Sequence, residues 1–131
     1  MRIFPCFDPS ADGRTSDNMR NKMHNQFVSF YVRGLSLKEI DRQTAELFLF
    51  ALLHHINPNK IIYLEDKTKN NQSRPALFQF ASNPKSKWLV ITNSFVLDKK
   101  RNNYEQLIKG FYSLGIEIIN LEELKEQAEY F

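Results

Sequence analysis

Four short apolar runs, each followed by a stretch of helical periodicity, constrain this chain more than any other feature. Phe27–Arg33 (FVSFYVR) is β-branched and aromatic, and Gly34 ends it, so it reads as a strand. Lys60–Glu65 (KIIYLE), Trp88–Thr92 (WLVIT) and Ile116–Ile119 read the same way. The nearly continuous apolar character of the Lys60–Glu65 and Trp88–Thr92 runs is that of central strands covered on both faces.

The intervening stretches carry helix signals. Ser36-Leu-Lys-Glu39 is a capping box, with the Ser oxygen accepting an orphan helix N–H and the Glu reaching back to the cap. The helix it opens places Leu37, Ile40, Leu47 and Ala51 at helical spacing and runs toward Ile56, before Pro58. Its Leu47–Leu53 segment is apolar all round, which predicts burial on most faces. Ser73 with Pro75 opens a second helix carrying Ala76, Leu77, Phe80 and Ala81, closed by Asn83-Pro84. Asp98 can cap a third, striped by Tyr104, Leu107, Ile108, Phe111 and Leu114, with Gly115 in the left-handed position after it. Leu121, Leu124, Ala128 and Phe131 line a terminal helix. This alternation predicts an α/β fold: a largely parallel or mixed sheet of four to five strands with helices packed against it.

A chain of 131 residues fits one domain, residues 1–131, and can bury a core without staples. Residues 1–26 are the least committed part. They hold Pro5, Pro9, Gly13, four basic and three acidic residues, and read as an irregular segment with a short strand at Arg2–Phe7. The lone Cys6 excludes an internal disulfide framework and suits a reducing, cytoplasmic setting. No apolar run nears the ~20 residues needed to span a bilayer, so no membrane is expected as a partner. Pro5, Asp8 and Asp12 interrupt the stretch where a signal peptide would be apolar, so export is not expected either.

Several chemistries lose their basis at once. Four isolated glycines supply neither a GxGxxG nor a Walker loop. A haloacid-dehalogenase-like phosphatase needs D-x-D, which Glu65-Asp66-Lys67-Thr68 does not provide. Adjacent His54 and His55 point about 100° apart on a helix, so they suit the closing of its last turn better than a shared metal. Ser94 and Ser113 lack a Gly-flanked nucleophile elbow.

The net charge of +3 is unevenly distributed. Lys67 to Arg101 holds eight basic residues and one acid, whereas Asn102 to the end holds two basic residues and six acids. In a parallel sheet Lys67, Lys69 and Arg74 follow one strand's carboxyl end, and Lys99, Lys100 and Arg101 follow the next. Open α/β sheets place ligands at that edge. Lys99–Arg101 would also begin a helix, where cations oppose the macrodipole, and a nearby anion would resolve the conflict. The expectation is a phosphate-facing edge of Lys69, Arg74, Lys99, Lys100 and Arg101, with nucleic acid or a phosphorylated ligand as partner.

Glu65 and Lys67 share one face of their strand, two residues apart. A carboxylate there can hold Mg²⁺, and a lysine beside it can steady a hydroxide or a phosphate charge. The stretch IIYLEDK, SRPALFQFASN, WLVITNSF, the helix through Leu114 and GIEIINLEEL resembles the second half of the restriction-endonuclease-like (Mrr-like, PD-(D/E)xK) fold. The resemblance implies Glu65 as metal carboxylate and Lys67 as catalytic lysine of a Mg²⁺-dependent nuclease. The family's acidic residue on the preceding, hairpin-joined strand is not found, because a long helix precedes Glu65.

Two main functional expectations follow. One is a nucleic-acid-associated protein with a nuclease-like core, its catalysis left open. The other is a non-enzymatic interaction or regulatory module, in which the basic band and acidic tail pair between two copies of a homodimer. A small phosphorylated ligand at the helix near Asp98 is a third use of the same basic edge.

Overall fold

The computed structural model describes residues 26–67 and 74–129. The strand and fifth-strand expectation at Arg2–Phe7 lies outside them. Four strands, β1 (Val28–Gly34), β2 (Ile61–Lys67), β3 (Trp88–Ile91) and β4 (Glu117–Asn120), form one sheet in the order β2-β1-β3-β4. Every neighbouring pair is parallel, with Val32 opposite Glu65, Phe30 opposite Val90 and Val90 opposite Ile119. Helices α1 (Leu37–Leu53), α2 (Pro75–Ser82), α3 (Arg101–Ser113) and α4 (Leu121–Glu129) connect and follow the strands. The expected α/β architecture is therefore present, with a wholly parallel sheet.

Alternation along β1 separates two cores. Val28, Phe30 and Val32 pack with Ile40, Leu47, Phe50 and Ala51 of α1 and with Leu121 at the start of α4. Tyr31 points the other way, with Leu89 and Ile91, onto Leu77 and Phe80 of α2 and Tyr104 and Phe111 of α3. Each fully buried Leu, Ile, Val or Phe contributes about 1.5–3 kcal/mol relative to exposure. β1 is buried along nearly its whole length because it has strands on both sides and helices on both faces.

β2 differs from the central strand its sequence suggests. It lies at the sheet edge, and Tyr63, Glu65 and Lys67 are exposed while Asp66 is buried. Apolar content alone does not distinguish an edge strand with helices on both sides from a central one. A second departure is in α1. Phe48, Leu49, Leu52 and Leu53 are exposed, Leu52 by 73%. Its periodic Ile40, Leu47, Phe50 and Ala51 already fill the sheet-facing stripe, and nothing among the described residues covers the opposite face.

Both long helices end in the same device. After α1, Ile56 N–H reaches Ala51 O (2.9 Å) and His55 N–H reaches Leu52 O (3.3 Å), with His55 in the left-handed region at φ 56°. After α3, Ile116 N–H reaches Phe111 O and Gly115 N–H reaches Tyr112 O, both at 2.9 Å, with Gly115 at φ 83°. These are Schellman closures, with glycine used once and a histidine once. The histidine pair thus closes the helix through backbone N–H groups. Among the described residues no helix is long and apolar enough to cross a membrane.

Candidate functional site

β1 and β3 are adjacent, but the chain leaves them in opposite directions, toward β2 from one and toward β4 from the other. Their carboxyl ends therefore open a crevice, the place where open parallel sheets bind ligands. A cleft of about 440 Å³ lies there, with Arg33, Arg42 and Lys99 supplying positive charge and Leu35, Phe95 and Val96 supplying apolar wall. Glu39 contributes one carboxylate.

The backbone of this cleft is fixed by polar bonds. Arg33 N–H donates to Gln43 Oε1 (2.9 Å), and Gln43 Nε2 donates to Arg33 O (2.8 Å), so a buried amide from α1 completes the end of β1. Gly34 allows α1 to approach, since a Cβ there would stand 3.0 Å from Glu39 Cβ and 3.4 Å from Ile40 Cγ1. The serine half of the capping box forms as expected, Glu39 N–H donating to Ser36 Oγ, while the Glu39 carboxylate accepts Leu35 N–H, one residue before the cap, each at 3.3 Å. On the other wall Asn93 Oδ1 accepts Phe95 N–H (3.0 Å) and starts a 3-10 turn over Ser94–Val96. Arg42 forms an exposed pair with Glu46 (3.2 Å), and such i,i+4 pairs contribute only a few tenths of a kcal/mol. Arg33 is only 9% exposed, and burial, then the neighbouring Arg74 charge, pulls its guanidinium below the ordinary value.

The sequence-predicted phosphate residues part company. Arg74 is buried and donates to Leu97 O (2.7 Å) and to Asp98 Oδ2 (2.6 Å). Asp98 also accepts from Lys100 N–H (2.8 Å) and from Asn103 Nδ2 (3.4 Å). Burial pushes the Asp98 carboxyl up, but the Lys100 N–H, the Arg74 charge and the Asn103 amide outweigh it and hold it below its ordinary range. Arg101 is exposed, bonds Glu105 (3.1 Å) and Glu123 (3.7 Å), and lies over the Tyr104 ring. The basic run at the start of α3 thus has anions of the chain itself beside it. Lys99 and Lys100 are exposed, Lys99 within the cleft lining, and Lys69 lies outside the described residues.

Glu65 and Lys67 share a face, as strand geometry requires, on the outer strand. Glu65 Oε1 accepts from Tyr63 Oη (3.0 Å), whose oxygen also lies 2.9 Å from Thr44 Oγ1. Among the described residues no three carboxylate, His or Cys side chains gather where they could share a metal. The intervening Asp66 is the structural one. It accepts from Tyr31 Oη (2.7 Å) and from the Ala76 and Leu77 N–H groups (2.7 and 3.2 Å), capping α2 from the end of β2. Burial, then this bond to Asp66, pushes the Tyr31 hydroxyl up, keeping it a donor at neutral pH. At the far side Tyr104 Oη accepts from Asn120 Nδ2 (3.0 Å) and donates toward Glu123 (3.3 Å), and burial is the main cause of its pKa being pushed up to about 12.

Arg33 and Arg42 do not stand out in the sequence, because both lie in the charge-balanced stretch before Lys67. One signal was available: an arginine at the carboxyl end of an apolar strand, followed by glycine, marks a sheet-edge turn.

No protein-family model matches the chain, and no curated protein matches its sequence. Solved structures do match its fold. The C-terminal catalytic domain of IS1535 TnpA, an IS607-like serine recombinase, aligns with TM-score 0.61 and 22% identity over 72% of this chain and 70% of that one. The corresponding domain of ISC1926 TnpA aligns with TM-score 0.58 and 20% identity over 77% and 76%. The N-terminal catalytic domain of TP901-1 integrase aligns with TM-score 0.62 and 20% identity over 75% and 78%. These matches overturn the restriction-endonuclease-like reading of the Glu65/Lys67 strand. The topology gives the physical reason: β1 and β2 are parallel neighbours joined through α1, where that family needs a hairpin. The fold of this chain is the one seen in these serine recombinase catalytic domains.

Proposed function

We propose that this domain associates with DNA through the β1/β3 cleft, holding phosphates with Arg42, Lys99 and the deeper Arg33. The observation that carries the proposal is the placement of those three cations on apolar walls at the crevice of the sheet. The shared fold supports the partner, since a recombinase acts on DNA. Two serines, Ser36 and Ser94, adjoin residues of the cleft lining in the chain. Ser36, beside Leu35, accepts the Glu39 N–H as a helix cap.

Binding of labelled DNA, measured by anisotropy across a salt series, tests this. Each phosphate contact contributes about 0.9 to the slope of log affinity against log salt, so Arg42→Ala with Lys99→Ala lowers that slope by about two. An unchanged slope and affinity would remove the cleft as the binding site.

A further inference from the structure

One residue at the mouth of the cleft is out of keeping with a surface that meets only phosphates. Phe95 is 66% exposed, yet it sits in a hydrogen-bonded turn. Asn93 Oδ1 accepts its N–H (3.0 Å), Val96 N–H reaches Asn93 O (3.2 Å), and Leu97 and Asp98 N–H groups both reach Ser94 O (3.1 Å). Val96 and Leu97, the next two residues, are buried and anchor the turn in the core. The backbone that carries this mostly exposed ring is therefore fixed by hydrogen bonds and core packing, and the ring shares the cleft lining with exposed Leu35 and with Arg42 and Lys99.

An aromatic face among cations is the arrangement that binds unpaired nucleotides: the cations follow the backbone and the ring stacks on a base. Duplex DNA hides its base faces in its own stack and offers a flat ring little. We infer that the cleft takes an unpaired DNA strand, with Phe95 as the stacking platform and Arg42 and Lys99 on the flanking phosphates. The inference rests on the reading that this cleft engages DNA, and adds the state of the strand it prefers. Stacking on one aromatic side chain contributes about 1–3 kcal/mol per base, a factor of roughly 5 to 150.

The test compares a short oligothymidine with a duplex of the same length on the whole chain and on F95A, F95L and F95W. The expected result is tighter binding of the oligothymidine by the parent. F95A and F95L should lose that preference through a five-fold or greater drop for the single strand alone, and F95W should retain it. Because the ring is mostly in solvent, the three variants should unfold at the parent temperature, which separates the effect from folding. Equal affinities for the two DNAs, or F95A changing both or neither, would overturn the inference while leaving cleft binding in place. If removing Arg42 and Lys99 changed neither affinity, the underlying reading would fall instead.

Discussion

Arg74 and Arg42 stand at the same edge of one sheet, on opposite sides of β1. Arg74 is buried, reaches the Leu97 carbonyl and bonds Asp98 at 2.6 Å, so its charge is consumed in joining the start of α2 to the turn before α3. Arg42 has a 59% exposed side chain, and its partner Glu46 is a solvated neighbour one turn along α1. A phosphate can displace Glu46 at small cost, because an exposed pair is nearly neutral in energy. It cannot displace Asp98 without stranding a buried charge. Between these two arginines, burial separates the one that holds the fold from the one that faces solvent.

The largest effect should come from Arg74→Ala. Removing one partner of a buried pair costs about 3–5 kcal/mol, because the other charge stays behind in a low-dielectric site. Thermal unfolding should fall by on the order of 10 °C or more, given the usual unfolding entropy of a chain this size. The same pair should shape the acid limb of stability. Asp98 has a lower pKa folded than unfolded, so its contribution is complete above the ordinary carboxylate value of about 3.9 and is lost as pH falls through the folded value. Asp98→Asn should flatten that part of the curve. If Arg74→Ala instead left the melting temperature unchanged but weakened DNA binding, the division by burial would be reversed. The smallest effect belongs to Arg101→Ala, since Arg101 is exposed and paired only with surface carboxylates. Its melting temperature and its DNA affinity should both match the parent within error.

Much of the fold is legible in the chain. All four described strands, the Ser36–Glu39 capping box and the left-handed Gly115 can be read from local chemistry, since each depends on residues a few positions apart. Strand order is not local. Lys60–Glu65 has the apolar content of a central strand, yet it lies outside β1 because α1 carries the chain to that side. The site was less legible for the same reason. A run of cations shows in the sequence, but the Asp98 that occupies Arg74 is 24 residues away, and which of Glu65 and Asp66 is buried depends on what packs on each face of β2. Leu47–Leu53 shows a related limit: its apolar residues outnumber those the sheet can cover, leaving Leu49, Leu52 and Leu53 in solvent.

The most direct measurement is an amide-resolved NMR titration of the chain with a short oligonucleotide. Binding through the cleft predicts that the largest shifts fall on Gly34, Leu35, Arg42, Phe95 and Lys99, with Ala76 and Leu77 behind Asp66 little changed. Shifts centred on Lys60, Lys85 and Lys87, which line a separate cavity with Gln26, Ser86 and Ile116, would contradict it.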